Sequence, residues 1–146
     1  MQSDRIDTTP LVLERLAAEL IELSTSGELG IREGVVMTVG TPPYRRLDCD
    51  GRALAYVRTR PRRRAVRVDI SGLWVATEPP HFGIRGAGGS VTLLLRSRAD
   101  LVEATTYIEA LVVRTRKAYE QEHRRHRANG PLGRVSAPVW IDDAHM

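Results

Sequence analysis

Six arginines fall within the ten residues from Arg58 to Arg67, in the stretch RTRPRRRAVRVDI. A guanidinium is planar, permanently charged, and donates forked pairs of hydrogen bonds that match a phosphate or carboxylate. The chemistry that Arg58, Arg60, Arg62, Arg63, Arg64 and Arg67 offer is therefore capture of an anion. The competing role is charge at a turn that protects a sheet edge from unwanted pairing. A second basic group, Arg124, Arg125 and Arg127, lies in TRKAYEQEHRRHRANG, where it also complements the negative end of a helix dipole. A third stretch, HFGIRGAGGS, places His81, Gly83, Arg85 and Gly86 in a glycine-rich loop whose backbone N–H groups could face an anion. Nucleotide-binding glycine loops need a strand before them and a helix after them; here a strand follows and no Lys-Ser/Thr pair appears. The loop reads either as an anion or ligand contact or as a plain surface connection.

Other groups point away from catalysis. His123 and His126 are one helical turn apart beside Glu120 and Glu122, but five basic residues between Arg116 and Arg127 would oppose a divalent cation. Cys49 stands between Asp48 and Asp50, and neighbouring carboxylates disfavour its thiolate. Neither a nucleophile elbow nor a paired-carboxylate arrangement is visible. His81, on a flexible loop, is the best candidate for proton work. The expectation is binding without catalysis, with no cofactor and no metal.

Charge is unevenly spread along the 146 residues. Net charge is +4, with Lys117 the single lysine against twenty-one arginines. Residues 1–40 carry −4, residues 41–70 carry +6, residues 71–110 carry −1 and residues 111–146 carry +3. Two separate basic blocks suit electrostatic contact better than a uniform basic average does. A lone cysteine allows no internal disulfide, and no apolar run has the length of a membrane span, so a cytoplasmic setting without membrane contact is expected. Aromatic residues are 5% of the chain, leaving only Tyr56 well placed as a stacking surface for bases.

The elements that must position these groups follow from periodicity. Thr9 as N-cap, Pro10 at the first turn, and Leu13, Leu16, Leu20 and Leu23 predict an amphipathic helix, ending at residues 24–27 with Gly27 in the left-handed cap conformation. Val35–Val39 predicts a strand. Asp50-Gly51 predicts a tight type I′ hairpin, and Pro61 a second reversal before Val66, Val68 and Ile70 alternate inward. Residues 71–89 read as a long connection, and SVTLLLRS as a strand with Val91, Leu93 and Leu95 on one face. Ser97 and Asp100 have capping-box spacing ahead of a buried stripe of Leu101, Ala104, Ile108, Leu111 and Val112. The last third of that helix is expected to protrude or fray before Asn129, Gly130 and Pro131. The predicted fold is α+β: an antiparallel meander of about four strands packed on an N-terminal and a long C-terminal helix. Residues 1–130 form one domain in this reading, and residues 131–146 an extended tail.

From about residue 54 to residue 120 the chain resembles a small bacterial domain family of unknown mechanism, labelled only "predicted transport protein". LAYVRTR is similar to that family's strand before a turn, RAVRVDI to the strand after it, and HFG to a His-aromatic-Gly step. SVTLLLRSRADLVEATTYIEALV and AYE resemble its closing strand and helix. The resemblance implies an α+β fold and no established activity.

Two functions compete at this level. One is a binding module that contacts nucleic acid or another polyanion through the arginine-rich hairpin. The other is a protein-interaction or homo-oligomeric assembly subunit, in which Val139, Trp140 and Ile141, beside Asp142 and Asp143, act as a docking peptide.

Overall fold

The computed structural model of the protein describes residues 10–36 and 44–129. The first helix, α1 (Pro10–Thr25), begins on a proline, whose missing N–H costs nothing in a first turn that has no carbonyl to receive it. Leu13, Leu16, Ala17, Leu20 and Ile21 are buried, but Leu23 is 40% exposed. Helical rotation brings the buried Ser24, not Leu23, over Leu13, Ala17 and Leu20. Gly27 does not take the left-handed conformation expected of it; the positive φ falls on Gly30 (80°), where the chain turns into the first strand. Thr9 lies outside the described residues.

Six strands follow among the described residues: β1 (Arg32–Gly34), β2 (Arg45–Cys49), β3 (Arg52–Arg60), β4 (Ala65–Ile70), β5 (Gly83–Arg85) and β6 (Val91–Leu95). They form one antiparallel sheet in the order β1-β2-β3-β4-β6-β5. The α+β class is as expected. The strand count of about four is corrected to six, and β5 breaks the meander by adding outside β6. Of the expected strand at Val35–Val39, the described residues Val35 and Val36 are unpaired; pairing occurs at Arg32–Gly34, where three polar or small residues gave no alternation to detect, and Val35 is 86% exposed. Residues 37–39 lie outside the described residues.

Asp50 and Gly51 both have positive φ, 54° and 75°, as a type I′ turn requires. A bulge between Leu47 and Asp48 shifts the register, so that Leu47 faces Ala55 and Asp48 faces Ala53. Leu54 is left between them; its carbonyl accepts the Ser71 N–H at 3.3 Å and its side chain is buried.

Across the sheet, Ala55, Ile70 and Val91 make one inward row, and Val57, Val68 and Leu93 the next. These close into a single core with α1 and with Leu101, Ala104, Ile108, Leu111 and Val112 of α2 (Arg98–Asn129). The Asp100 N–H donates to Ser97 Oγ at 3.1 Å, while its carboxylate accepts the Arg96 N–H at 2.9 Å, a capping box displaced by one residue. Arg98 ion-pairs with Glu19 of α1. The helix is unbroken for 32 residues to Asn129. By internal contacts the chain divides into two units, residues 1–112 and 113–146, the second beginning within α2. No helix among the described residues is long and apolar enough to cross a membrane.

The connection between β4 and β5 is tied down at two points. Trp74 is buried and donates its indole N–H to the Ala53 carbonyl at 2.9 Å, with the Arg52 guanidinium 4.4 Å over its ring. The Tyr107 hydroxyl on α2 donates to the Thr77 carbonyl at 2.9 Å, and burial raises that phenol's pKa above its ordinary value. Trp74→Phe removes the donor and part of the ring, and should destabilise the fold by about 1–2 kcal/mol. The check is the urea midpoint followed by far-UV circular dichroism.

At the other margin, Arg45 Nε lies 2.7 Å from Glu33, and this hydrogen bond holds the Glu33 carboxyl below its ordinary value of 4.5. A carboxyl depressed by folding contributes stability that is present above its unfolded pKa and lost as pH falls through its folded one. Because both side chains are more than a third exposed, screening keeps the contribution below about 1 kcal/mol. Glu33→Gln should lower the urea midpoint slightly at neutral pH and leave it unchanged well below pH 4.

Candidate anion-binding cleft

The reversal after β3 begins with a single 3-10 turn, Pro61–Arg63. Arg64 then takes a left-handed conformation (φ 53°), donating its N–H to the Pro61 carbonyl at 3.0 Å. That conformation costs a non-glycine residue roughly 1–2 kcal/mol, but it closes the turn so that Ala65 returns opposite Arg60. Arg62, Arg63 and Arg64 are exposed at the tip. Among the described residues none of Arg60, Arg62, Arg63 and Arg64 pairs with a carboxylate.

Along β3 and β4, residues alternate between the core face and an outer face. Tyr56, Arg58 and Arg60 fall outward, with Arg67 directly opposite Arg58 and Asp69 opposite Tyr56. Two like charges in register would repel. Each is handled differently. Arg67 donates Nε to both oxygens of Asp69 at 3.0 Å, and Thr92 Oγ1 donates to the same carboxylate at 2.8 Å. Arg58 lies 5.5 Å over the Tyr44 ring, which is in turn 5.5 Å from Tyr56. Its Nε is buried without a hydrogen-bond partner. The outer face therefore holds two tyrosines together, one more than the sequence singled out for stacking.

The glycine loop does something different from cradling a nucleotide. Gly83 opens β5, its N–H bonded to the Pro80 carbonyl at 2.8 Å, and it lies close against Pro79 and Leu93, where a side chain would not fit. Gly86 donates to the Ser90 carbonyl at 2.8 Å, and Gly88 and Gly89, with φ of 67° and 81°, carry the chain back into β6. The motif is a hairpin. Because β6 pairs with β4, this hairpin lies beside the arginine-bearing one.

Between them is a cleft of about 230 Å³. Arg60, Arg63 and Arg67 line it from the β3–β4 hairpin, and Ile84, Arg85 and Gly86 from β5 and its turn. Thr92 and Leu94, the outward residues of β6, complete it. Four of the eight lining residues are arginines and none is acidic. Arg85 sits opposite Val91 at the sheet margin, where its charge also acts on the Tyr107 phenol. On the other side of the tip a second groove, about 370 Å³, is lined by Arg58, Thr59, Arg60, Pro61 and Arg62. Arg60 thus borders both.

Comparison with family models, curated proteins and solved structures finds no match for this chain.

Two groups singled out separately in the sequence, the arginine hairpin and the Arg85–Gly86 segment, are thus brought together. The others are not. His81 is exposed and edge-on to Phe82 at 5.2 Å, outside the cleft lining. Arg124 lies 3.9 Å from Glu120 and Arg125 3.4 Å from Glu122, so each has an acidic neighbour on its own helix. Arg127 is within α2, but its side chain and the whole of residues 131–146, with Val139, Trp140 and Ile141, lie outside the described residues. Among the described residues no group of three or more His, Cys, Asp or Glu could hold a metal ion. Sequence reasoning passed over Asp69, Thr92, Ile84 and Leu94. The alternation of SVTLLL marks Thr92 and Leu94 as outward-facing, but only the strand order reveals their neighbours.

Proposed function

We propose that the protein is a non-catalytic binding module for a polyanion such as nucleic acid, contacted by the arginine-rich β3–β4 hairpin. One observation carries this: Arg60, Arg63, Arg67 and Arg85, from two different hairpins, line one cleft with no carboxylate in its lining, the nearby Asp69 being paired with Arg67. Arginine placed only to protect a sheet edge would not need a second basic element to meet it. β4, which carries Arg67, is also an interior strand of the sheet. Neutralising phosphates with such groups releases condensed counterions, giving binding that weakens steeply with salt. The Tyr44–Tyr56 pair on the same outer face favours single-stranded nucleic acid, whose bases can stack on such partly exposed rings. The resemblance of residues 54–120 to the bacterial family of unestablished activity speaks to shape and brings no activity with it. The test is affinity for a labelled single-stranded DNA oligonucleotide over a range of salt concentrations, with the protein and with its Arg60→Ala/Arg63→Ala/Arg85→Ala variant. Equal salt dependence for the two would refute the reading.

A further inference from the structure

We infer that the cleft is built for a terminal phosphomonoester in preference to the internal diesters of a nucleic-acid chain; the inference rests on the polyanion reading and sharpens it. Charge is the first reason. A phosphomonoester carries about −1.5 to −2 near pH 7, and its three free oxygens can take forked hydrogen bonds from more than one guanidinium. An internal diester carries a single charge and offers two free oxygens. Arg60 and Arg63, which pair with no carboxylate among the described residues, together with the Nη groups of Arg67 offer more donors than one diester can engage and suit one dianionic group.

The second reason is how Arg67 is held. Asp69 takes only its Nε, through both carboxylate oxygens, and Thr92 in turn fixes Asp69. Among the described residues no hydrogen bond uses the two Nη groups of Arg67, and Arg67 lines the cleft. A guanidinium anchored by one nitrogen has lost its rotamer freedom before a ligand arrives, so its other nitrogens act as a pre-set fork.

Shape is the third reason. The site is concave, with Thr92 and Leu94 between the hairpin arginines and the Ile84–Gly86 segment. A chain that continues in both directions can lie along the rim, whereas a chain end or a small phosphorylated molecule can enter. Ile84, 65% exposed, and Leu94 give the group attached to the phosphate an apolar surface.

The test compares oligothymidylates identical except for a 5′-phosphate, a 3′-phosphate or hydroxyl ends, by fluorescence anisotropy, with free thymidine monophosphate as competitor. A phosphorylated end should bind about tenfold more tightly than the hydroxyl form. Arg63→Ala, at an exposed position, should erase that preference while weaker background binding persists; unchanged circular dichroism reports an intact fold. Competition by thymidine monophosphate at matched concentration identifies a small phosphorylated molecule as the ligand; competition by the phosphorylated oligomer alone identifies a nucleic-acid end. Equal affinity for all ends overturns this inference and leaves the polyanion reading standing. No binding of any probe overturns both.

Discussion

Replacing Arg60, Arg63 and Arg85 together with alanine should lower affinity for single-stranded DNA by about 100-fold at low salt and flatten its salt dependence. Each phosphate neutralised on a single strand contributes about 0.7 to the slope of log affinity against log salt, so a slope lower by about 0.7 marks loss of one phosphate held in the cleft and a larger fall marks loss of contacts along the chain. Arg85 is exposed, as is Arg63, and Arg60 is only partly buried at the strand end, so the fold should survive the substitutions. Arg67 is left in place because its removal would strand Asp69, which it pairs with at 3.0 Å. The comparison variant is Arg124→Ala/Arg125→Ala. Both residues have acidic neighbours on α2, at 3.9 and 3.4 Å, and their loss should change affinity less than about threefold. A larger effect from the helix pair than from the hairpin triple would move the binding surface to the end of α2.

The second large effect involves no charged side chain. Gly72→Ala should destabilise the fold by about 2–3 kcal/mol, lowering Tm by roughly 10 °C. A methyl group at residue 72 would overlap the Gly88 carbonyl oxygen and come within 3.1 Å of its carbonyl carbon and 3.3 Å of the Ser90 nitrogen. All three are backbone atoms, so no side chain can swing aside. Gly88→Ala is the informative contrast. There the φ of 67° disfavours a side chain, but nothing stands within 4 Å of the added carbon, so the cost is only the roughly 1 kcal/mol of the left-handed conformation. Scanning calorimetry on the two variants separates steric overlap from conformational preference. Since the Gly86–Ser90 turn sets where β5 lies against β6, Gly72→Ala should also weaken DNA binding, without removing any charge.

Much of this architecture was legible from local pattern. The leucine spacing of α1, the Asp50-Gly51 turn, the alternation of Val66, Val68 and Ile70, and the stripe from Leu101 to Val112 each reflect a period that burial imposes. β1 and β5 escaped because three-residue edge strands are too short to show a period, and Gly83, Ile84 and Arg85 gave no alternation. The cleft escaped for another reason. Arg67 and Arg85 are joined through β6, a strand that comes after both in sequence but pairs between them. Periodicity says which way a side chain faces along its own strand; it says nothing about which strand lies alongside. The pairing of Arg67 with Asp69 was hidden in plain view, since alternation alone puts residues two apart on one side of a strand.

The brevity of the two outermost strands has a consequence for life in a crowded solution. Among the described residues β1 and β5 each supply only three residues of ladder, one ending at Gly34 under the Arg46–Asp48 ion pair of β2, the other preceded by Pro79 and Pro80 and followed at once by a turn. A stray extended peptide would find too few unsatisfied amides at either border to zip onto, which disfavours fibrillar growth even when the molecule is abundant.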